Sequence, residues 1–209
     1  MSRFSAIVSR ILETSPEPLE NRPCPDQVVG TLGQLESDGR ITARAAASDR
    51  PNHSAVLLVL ESPHTSEFKG ALGPAKGNTG RLIAKHALSV RGLQGRDNAS
   101  LVLMNAIQYQ CSLGKKPSLF RDDVFVAAWH EFGRSDFVAR LKAAYQANDL
   151  VVCACTKGGN SNGGESLRSL VYAAIVDALP KGAQILRRTH PSSWFSQKNR
   201  DYEWEASDA

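Results

Sequence analysis

Four short, mostly apolar runs recur along the chain and alternate with segments of helical periodicity. Such runs are typical of strands that are buried on both faces of a sheet. Because helical segments separate them, consecutive strands are expected to pair in parallel. We therefore predict an α/β fold with three α/β/α layers around a central four-stranded parallel sheet. The predicted strands are 55–60, 101–107, 150–155 and 183–186.

The predicted helices lie between these runs and before the first of them. No Pro-, Ser- or Gly-rich linker divides the 209 residues, and a hydrophobic content of 42% is enough for one well-covered core. We expect one domain over residues 1–209, with an N-terminal helical extension (1–50) and a core (55–195) that holds the motifs. The predicted helices are 3–14, 25–36, 79–90, 121–131, 135–147 and 165–179.

The charge balance is mildly basic, with 25 Lys and Arg against 21 Asp and Glu. This balance is compatible with a polyanionic partner but does not require one. Polar residues interrupt the apolar pattern of the first helix, so we predict neither a signal peptide nor a membrane span. The four cysteines form no Cys-x-x-Cys pair, and the histidines lack metal-ligand spacing. We expect a cytoplasmic protein with reduced thiols, no metal and no cofactor.

Two polar segments follow the first and last predicted strands: residues 61–64 (Glu-Ser-Pro-His) and 190–194 (His-Pro-Ser-Ser-Trp). The carboxyl ends of parallel strands meet at one edge of a sheet, where open α/β proteins build their sites. We therefore expect Glu61 and His190 to lie close together. A carboxylate and an imidazole could stabilise the opposite charges that develop as a bond to a nitrogenous base breaks. The alternative is that each residue only fixes its own turn.

Two glycine-containing loops, residues 73–81 and 157–164, leave strands and lead into helices. Free N–H groups at a helix N-terminus suit a phosphate or a polar base edge, and small residues let a nucleic-acid backbone approach closely. The first loop lacks the Gly-Lys-Ser/Thr ending of a P-loop. A flexible connector is the alternative for both. The candidate DNA-binding residues in these loops are Lys76, Gly77, Asn78 and Lys157.

Three motifs, in order, resemble those of the uracil-DNA glycosylase superfamily. Residues 60–64 and 73–83 resemble the branch with Gly-Glu-Ala-Pro-Gly followed by Gly-x-Pro-Phe-x-Gly-x-Ala-Gly-x-Leu-Leu. Residues 101–106 are similar to the family's second strand, which ends in a base-reading asparagine. Residues 190–192 match its His-Pro-Ser motif. The resemblance covers roughly residues 55–195 and implies a uracil-DNA glycosylase-like fold.

The resemblance also implies roles for the matching residues. Glu61 would be the catalytic carboxylate, which orients water or stabilises positive charge on the deoxyribose. His190 would donate a hydrogen bond to the departing base, and Asn105 would read the Watson–Crick edge of that base. The further candidates are Ala75, His64 and Gln108 for base recognition and Ser62, Pro63, Ser192, Ser193 and Trp194 for DNA binding.

Alternatives stay open for two of these side chains. His64 is either a second histidine of the site or a solvent-facing loop residue. Trp194 is either a wedge that enters the stack vacated by a flipped nucleotide or a packing residue, and Phe195 is the other candidate wedge.

Two departures from the family pattern bear on cofactor and substrate. The related branch has four cysteines for an iron–sulfur cluster, whereas here Cys24 stands alone and the other cysteines have the wrong spacing. We predict no cluster. Ala75 replaces the phenylalanine that stacks on the flipped base, which removes a contact worth about 1–3 kcal/mol and enlarges the expected pocket. A wider pocket favours a bulky modified base, such as glucosylated hydroxymethylcytosine of phage DNA, over plain uracil.

The sequence thus predicts a monofunctional DNA glycosylase. It would flip a non-standard nucleotide, hydrolyse the N-glycosidic bond and leave an abasic site, with antiviral defence as one possible role. The expected partner is DNA that contains a non-standard base, and the expected state is a monomer. The alternatives are a uracil-excision repair enzyme, a non-catalytic DNA- or nucleotide-binding module of the same fold, and a hydrolase of free nucleosides or nucleotides.

Overall fold

One mixed sheet of six strands forms the centre of the protein, in a computed structural model that describes residues 2–12, 20–51, 53–112, 120–158 and 165–205. Its strands are β1 (Gln27–Thr31), β2 (Ala45–Ala46), β3 (Ala55–Leu60), β4 (Ser100–Asn105), β5 (Leu150–Cys153) and β6 (Gln184–Arg187). Their order across the sheet is β2-β1-β4-β3-β5-β6. The fully buried strand β3 therefore lies between β4 and β5, near the middle of the sheet.

The four predicted strands are present and pair in parallel, β4 with β3, β3 with β5 and β5 with β6. The sheet is nevertheless wider than the predicted four-stranded parallel one. Strand β1 pairs antiparallel with β4, and β2 pairs antiparallel with β1. The fold is therefore α/β with a six-stranded mixed sheet.

The extra strand β1 corrects the prediction of a helix over residues 25–36. The β-branched pair Val28 and Val29 is buried in the sheet. The helix begins only at Leu32, where the Thr31 hydroxyl accepts a hydrogen bond from the Gln34 N–H group and caps the N-terminus. Pairing with β4 thus overrides a helical pattern that is correct only for its second half.

Helices cover both faces of the sheet. Alternating strand residues, such as Leu57 and Val59 on one face and Val56 and Leu58 on the other, enter two separate apolar cores. Helices α1, α4, α5 and α6 contribute to the first core, and α2 and α3 contribute to the second. The helices are α1 (Arg3–Leu12), α2 (Leu32–Asp38), α3 (Asn78–His86), α4 (Arg121–Ala128), α5 (Arg134–Ala144), α6 (Leu167–Ala178) and α7 (Gln197–Asp201).

No helix among the described residues is long and apolar enough to cross a bilayer. The last two residues of the predicted helix 3–14, and positions 159–164 of the second glycine-containing loop, lie outside the described residues. Cys153 and Cys155 both enter the first core, as the alternation of that strand predicts, and all four cysteines are buried free thiols.

Candidate functional site

A cleft of about 220 Å³ lies at the carboxyl ends of the parallel strands. Glu61 directly follows β3, Thr156 follows β5 by three residues, and His190 follows β6 by three. The sheet therefore brings together the side chains of Glu61 and His190, which are 129 residues apart in the sequence. The described lining residues are Leu60, Glu61, Ser62, His64, Glu67, Thr79, Arg121, Thr156, His190 and Ser192.

The carboxylate of Glu61 is held at the wall of this cleft. Glu61 is 7% exposed, and its Oε2 atom lies 3.8 Å from Nε2 of His190. The Thr156 N–H group donates to the same Oε2 at 3.2 Å, and Arg121 Nη1 lies 3.9 Å from Oε1. The expected proximity of Glu61 and His190 is therefore present, with partners on both carboxylate oxygens.

The contacts of His190 determine which ring nitrogen bears the proton in its neutral form. The Ser192 N–H group points at Nδ1 of His190 from 3.2 Å and caps the short 3₁₀ helix Pro191–Ser193. A backbone N–H can only donate, so Nδ1 acts as an acceptor and the proton lies on Nε2. Nε2 is the nitrogen nearest Glu61. The imidazole thus presents an N–H donor beside the carboxylate.

His64, which also lines the cleft, has the same kind of local hydrogen bond. Its Nδ1 accepts from the Ser66 N–H group at 3.3 Å, so Nε2 is again the free donor position. The residue is exposed and lines the cleft. His64 is therefore both a residue of the site and a solvent-facing loop residue, which combines the two alternatives left open by the sequence.

Asn105 ends strand β4, as predicted, but a carboxyl group that the sequence did not reveal stands beside it. Asn105 is 1% exposed, and its Nδ2 atom donates to Oε2 of Glu67 at 3.4 Å. Its Oδ1 atom is buried and has no hydrogen-bond partner among the described residues. Glu67 lines the cleft, and Asn105 is not among the lining residues. The amide therefore reaches the cleft chiefly through Glu67.

Burial raises the pKa of Glu67 to about 7, because the charged form loses hydration. The N–H groups of His64 and Ala75 and the amide of Asn105 hydrogen-bond to its carboxyl group and lower the pKa, whereas the nearby Glu61 raises it. A carboxyl group with a pKa near neutrality can donate or accept a hydrogen bond at physiological pH. Glu67 is thus a chemically active group of the cleft.

Two more cleft residues were missed by sequence reasoning. Arg121 opens α4 and contacts both Glu61 and Asp122, the latter at 2.6 Å. Thr156 presents a buried Oγ1 atom without a hydrogen-bond partner among the described residues. Arg121 is the first residue of α4 and Thr156 lies three residues after β5, but nothing in their local sequence separates them from ordinary loop residues.

Trp194 is a packing residue, which corrects its prediction as a DNA-binding residue. Its side chain is 0% exposed in the second core, and its Nε1–H group donates to the Thr189 carbonyl at 3.0 Å. A fully buried indole cannot enter a base stack. The next residue, Phe195, is 70% exposed. Of the two candidate wedges, only Phe195 is therefore exposed.

Gln108 also lies away from the cleft that it was predicted to line. Its side chain hydrogen-bonds to Asp26, and both residues line a separate cavity with Arg140. Pro63 is buried, so it offers no surface to DNA. The predictions that Gln108 recognises the base and that Pro63 contacts DNA are therefore wrong. The turn after β4 directs Gln108 towards Asp26, and the turn after β3 buries Pro63.

The predicted serines differ in the hydrogen bonds and the exposure of their side chains. The Ser193 hydroxyl donates to the His190 carbonyl at 2.8 Å, and the Ser62 hydroxyl hydrogen-bonds to the Cys111 thiol. Ser192 is exposed, and its hydroxyl lies 2.8 Å from Nδ1 of His190. Ser192 is thus the predicted serine that is both exposed and part of the cleft lining.

The first glycine-containing loop separates the cleft from a second cavity. Ala75 has a left-handed backbone (φ 53°), contacts Glu67 through its N–H group and lines the second cavity. A Cβ atom at Gly80 would lie 1.9 Å from the Ala75 carbonyl oxygen, so only glycine fits there. The remaining predicted DNA-binding residues are exposed or half-buried: Lys76, Gly77, Asn78 and Lys157.

Compared with known proteins, the chain matches no family model, no curated protein and no solved structure. Among the described residues, no cluster of three or more His, Cys, Asp or Glu side chains could hold a metal ion. The arrangement of the site itself is therefore the basis for a function.

Proposed function

We propose that the protein is a DNA glycosylase that hydrolyses the N-glycosidic bond of a flipped, modified base. The observation that carries the proposal is the pairing of Glu61 Oε2 with His190 Nε2, 3.8 Å apart in the cleft. Breaking a glycosidic bond creates positive charge on the sugar and negative charge on the base. A fixed carboxylate and a fixed N–H donor match these two charges. The three motifs that resemble the uracil-DNA glycosylase superfamily point to the same chemistry.

In this mechanism the C1′–N bond breaks and its electron pair leaves with the base. The Nε2–H group of His190 donates a hydrogen bond to the base as negative charge collects there. Glu61 faces the sugar, stabilises the oxocarbenium-like state and orients a water molecule whose oxygen attacks C1′. The proton that this water loses passes to Glu61 and from there to the departed base. Thr156 lines the same cleft, and its buried Oγ1 atom, which has no hydrogen-bond partner among the described residues, provides a further hydrogen-bonding position for that water.

The carboxyl group of Glu67 supports a base with an exocyclic amino group. Nδ2 of Asn105 is engaged by Glu67, and of these two residues only Glu67 lines the cleft. An ionised Glu67 offers only acceptor oxygens, which suit the N4 amino group of cytosine and repel the O4 atom of uracil. A protonated Glu67 can donate to the N3 atom of cytosine. A cytosine derivative, including glucosylated hydroxymethylcytosine, is therefore the proposed substrate class.

A substrate panel tests this function. Purified protein is incubated with DNAs that contain uracil, hypoxanthine, hydroxymethylcytosine or glucosylated hydroxymethylcytosine, and abasic sites are then cleaved with alkali. We expect cleavage with at least one of the two cytosine derivatives and little with uracil. Uracil as the preferred substrate would overturn the base assignment and support uracil excision. Binding without cleavage of any DNA would support the non-catalytic module.

A further inference from the structure

A basic cavity of about 610 Å³ lies next to the cleft, on the same turn of α3. Thr79 lines the cleft, whereas its neighbours Asn78 and Gly80 line the basic cavity. The two spaces therefore share the first turn of α3 as a wall. A strand of nucleic acid held in the cleft would pass within reach of the basic cavity.

Four of the nine described lining residues of this cavity are cationic, and none of the nine is anionic. The cations come from three separate parts of the fold: the segment that follows α2, the first glycine-containing loop, and α3 itself. The whole chain has a net charge of only +4, so this is a concentrated positive region. The cationic lining residues are Arg40, Arg44, Lys76 and Arg81.

The hydrogen bonds of these cations go to neutral groups. Arg44 Nη1 donates to the Pro74 carbonyl at 2.7 Å, and Arg81 Nη2 donates to Asn78 Oδ1 at 2.7 Å. Lys76 Nζ donates to the Ala71 carbonyl at 2.6 Å. Within the described residues, none of the four cations forms a direct ion pair with a carboxylate. Arg44 also interacts electrostatically with Glu67 without a direct contact, so the positive charge of Arg40, Lys76 and Arg81 is the part that is available to a bound anion.

The backbone reinforces this charge. Helix α3 begins at Asn78, and no side chain caps its N-terminus at Gly77. The N–H groups of a first helical turn carry partial positive charge and favour phosphates. Guanidinium groups add planar forks that match two oxygens of one phosphate. The cavity thus combines side-chain charge, geometry and backbone polarity suited to a phosphate.

We propose that this basic cavity binds a backbone phosphate of the DNA strand whose flipped nucleotide occupies the cleft. The identity of the strand rests on the proposed glycosylase function, whereas the binding of a phosphodiester in the cavity does not depend on catalysis. Arg40 and Arg81 are the side chains to change, because neither lines the cleft and both are exposed.

The test compares the salt dependence of duplex DNA binding by wild type, Arg40→Ala and Arg81→Ala, measured by fluorescence anisotropy. Each variant should bind more weakly, and the slope of log K against log salt should become shallower by about 1, because one phosphate contact is lost. Arg134→Ala is the matched control. It removes the same charge from the exposed end of α5, which packs on the opposite face of the sheet, and should leave the slope unchanged.

Equal slopes for all four proteins, or an equal change in all three variants, would overturn the proposal. A second arm replaces DNA with inorganic pyrophosphate, with binding followed by calorimetry. If Arg40→Ala and Arg81→Ala weaken only pyrophosphate binding, the cavity takes a free phosphate and the DNA assignment is overturned. If the slopes of Arg40→Ala and Arg81→Ala equal that of wild type, this inference is contradicted even if the protein releases base. If the slopes become shallower but no base is released, only the proposed function is contradicted.

Discussion

Asn105 Nδ2 donates to Glu67 Oε2 at 3.4 Å, so the residue expected to read the base is joined to a buried carboxyl group six residues after Glu61. This pairing connects the amide to a titrating group that lines the cleft. The effects of this titrating group can be measured.

The raised pKa of Glu67 makes the stability of the protein depend on pH. A carboxyl group whose pKa rises from 4.5 to about 7 on folding binds its proton more tightly in the native state. The stability due to this proton is therefore fully present below pH 4.5 and is lost as pH rises towards 7. The loss is on the order of 3 kcal/mol. The free energy of unfolding of Glu67→Gln, relative to wild type, should rise over this range. A difference that stays constant with pH would contradict the burial effect.

The same variant should change the choice of base. Glutamine at position 67 offers a permanent N–H donor, which suits the O4 atom of uracil, in place of the fully accepting carboxylate of the ionised glutamate. In single-turnover assays, the rate ratio of uracil to hydroxymethylcytosine should rise about tenfold relative to wild type, the effect of one hydrogen bond. A ratio that is unchanged or lower would remove Glu67 from base recognition.

His190→Ala should slow base release by about 10²–10³, the usual effect of removing one donor from developing negative charge. The protein should still fold, because the ring is at the surface of the cleft and its main contacts are local. Ser193→Ala is a useful control: it changes the same 3₁₀ turn, and the Ser193 hydroxyl contacts the Thr189 hydroxyl and the His190 carbonyl but does not line the cleft. Equal rates for His190→Ala and wild type would exclude the imidazole from catalysis.

Alanine substitutions at Trp194 and Phe195 should have different effects: the first should lower stability, and the second should affect activity on duplex DNA. Trp194→Ala empties a fully buried site and should lower the free energy of unfolding by about 3–5 kcal/mol. Phe195→Ala removes an exposed ring and should leave stability nearly unchanged. If Phe195 is the wedge, its loss weakens action on duplex DNA but not on a free nucleoside. Equal activity of Phe195→Ala and wild type on duplex DNA would exclude the wedge.

The parts of the fold that could be predicted are those fixed by local pattern and by topology. The apolar runs gave the four parallel strands, and the rule that parallel strands end at one edge placed Glu61 beside His190. The strand at Val28 and Val29 was missed because its stability comes from pairing with β4, about 75 residues away in the sequence, and helical periodicity overlapped it.

The sequence could not predict which side chains of the site are buried, because burial depends on tertiary packing and not on sequence spacing. Glu67 lies in a 3₁₀ turn, and only its packing beneath Ala75 and Asn105 distinguishes it from a solvated glutamate. Trp194 and Phe195 are adjacent aromatic residues, and only the second core decides which of them is buried. Gln108 follows Asn105 closely, but the turn after β4 directs it to Asp26.

The most direct test of the account is base release from duplex DNA that contains glucosylated hydroxymethylcytosine, with the free base measured by mass spectrometry for wild type and Glu61→Gln. Wild type should release the modified base and leave an abasic site. Glu61→Gln should fold normally and release it at least about 10²-fold more slowly, because a neutral amide stabilises the sugar cation poorly and cannot accept a proton from water. Equal release by the two proteins, or release by neither, would contradict the central claim that Glu61 and His190 cleave a glycosidic bond.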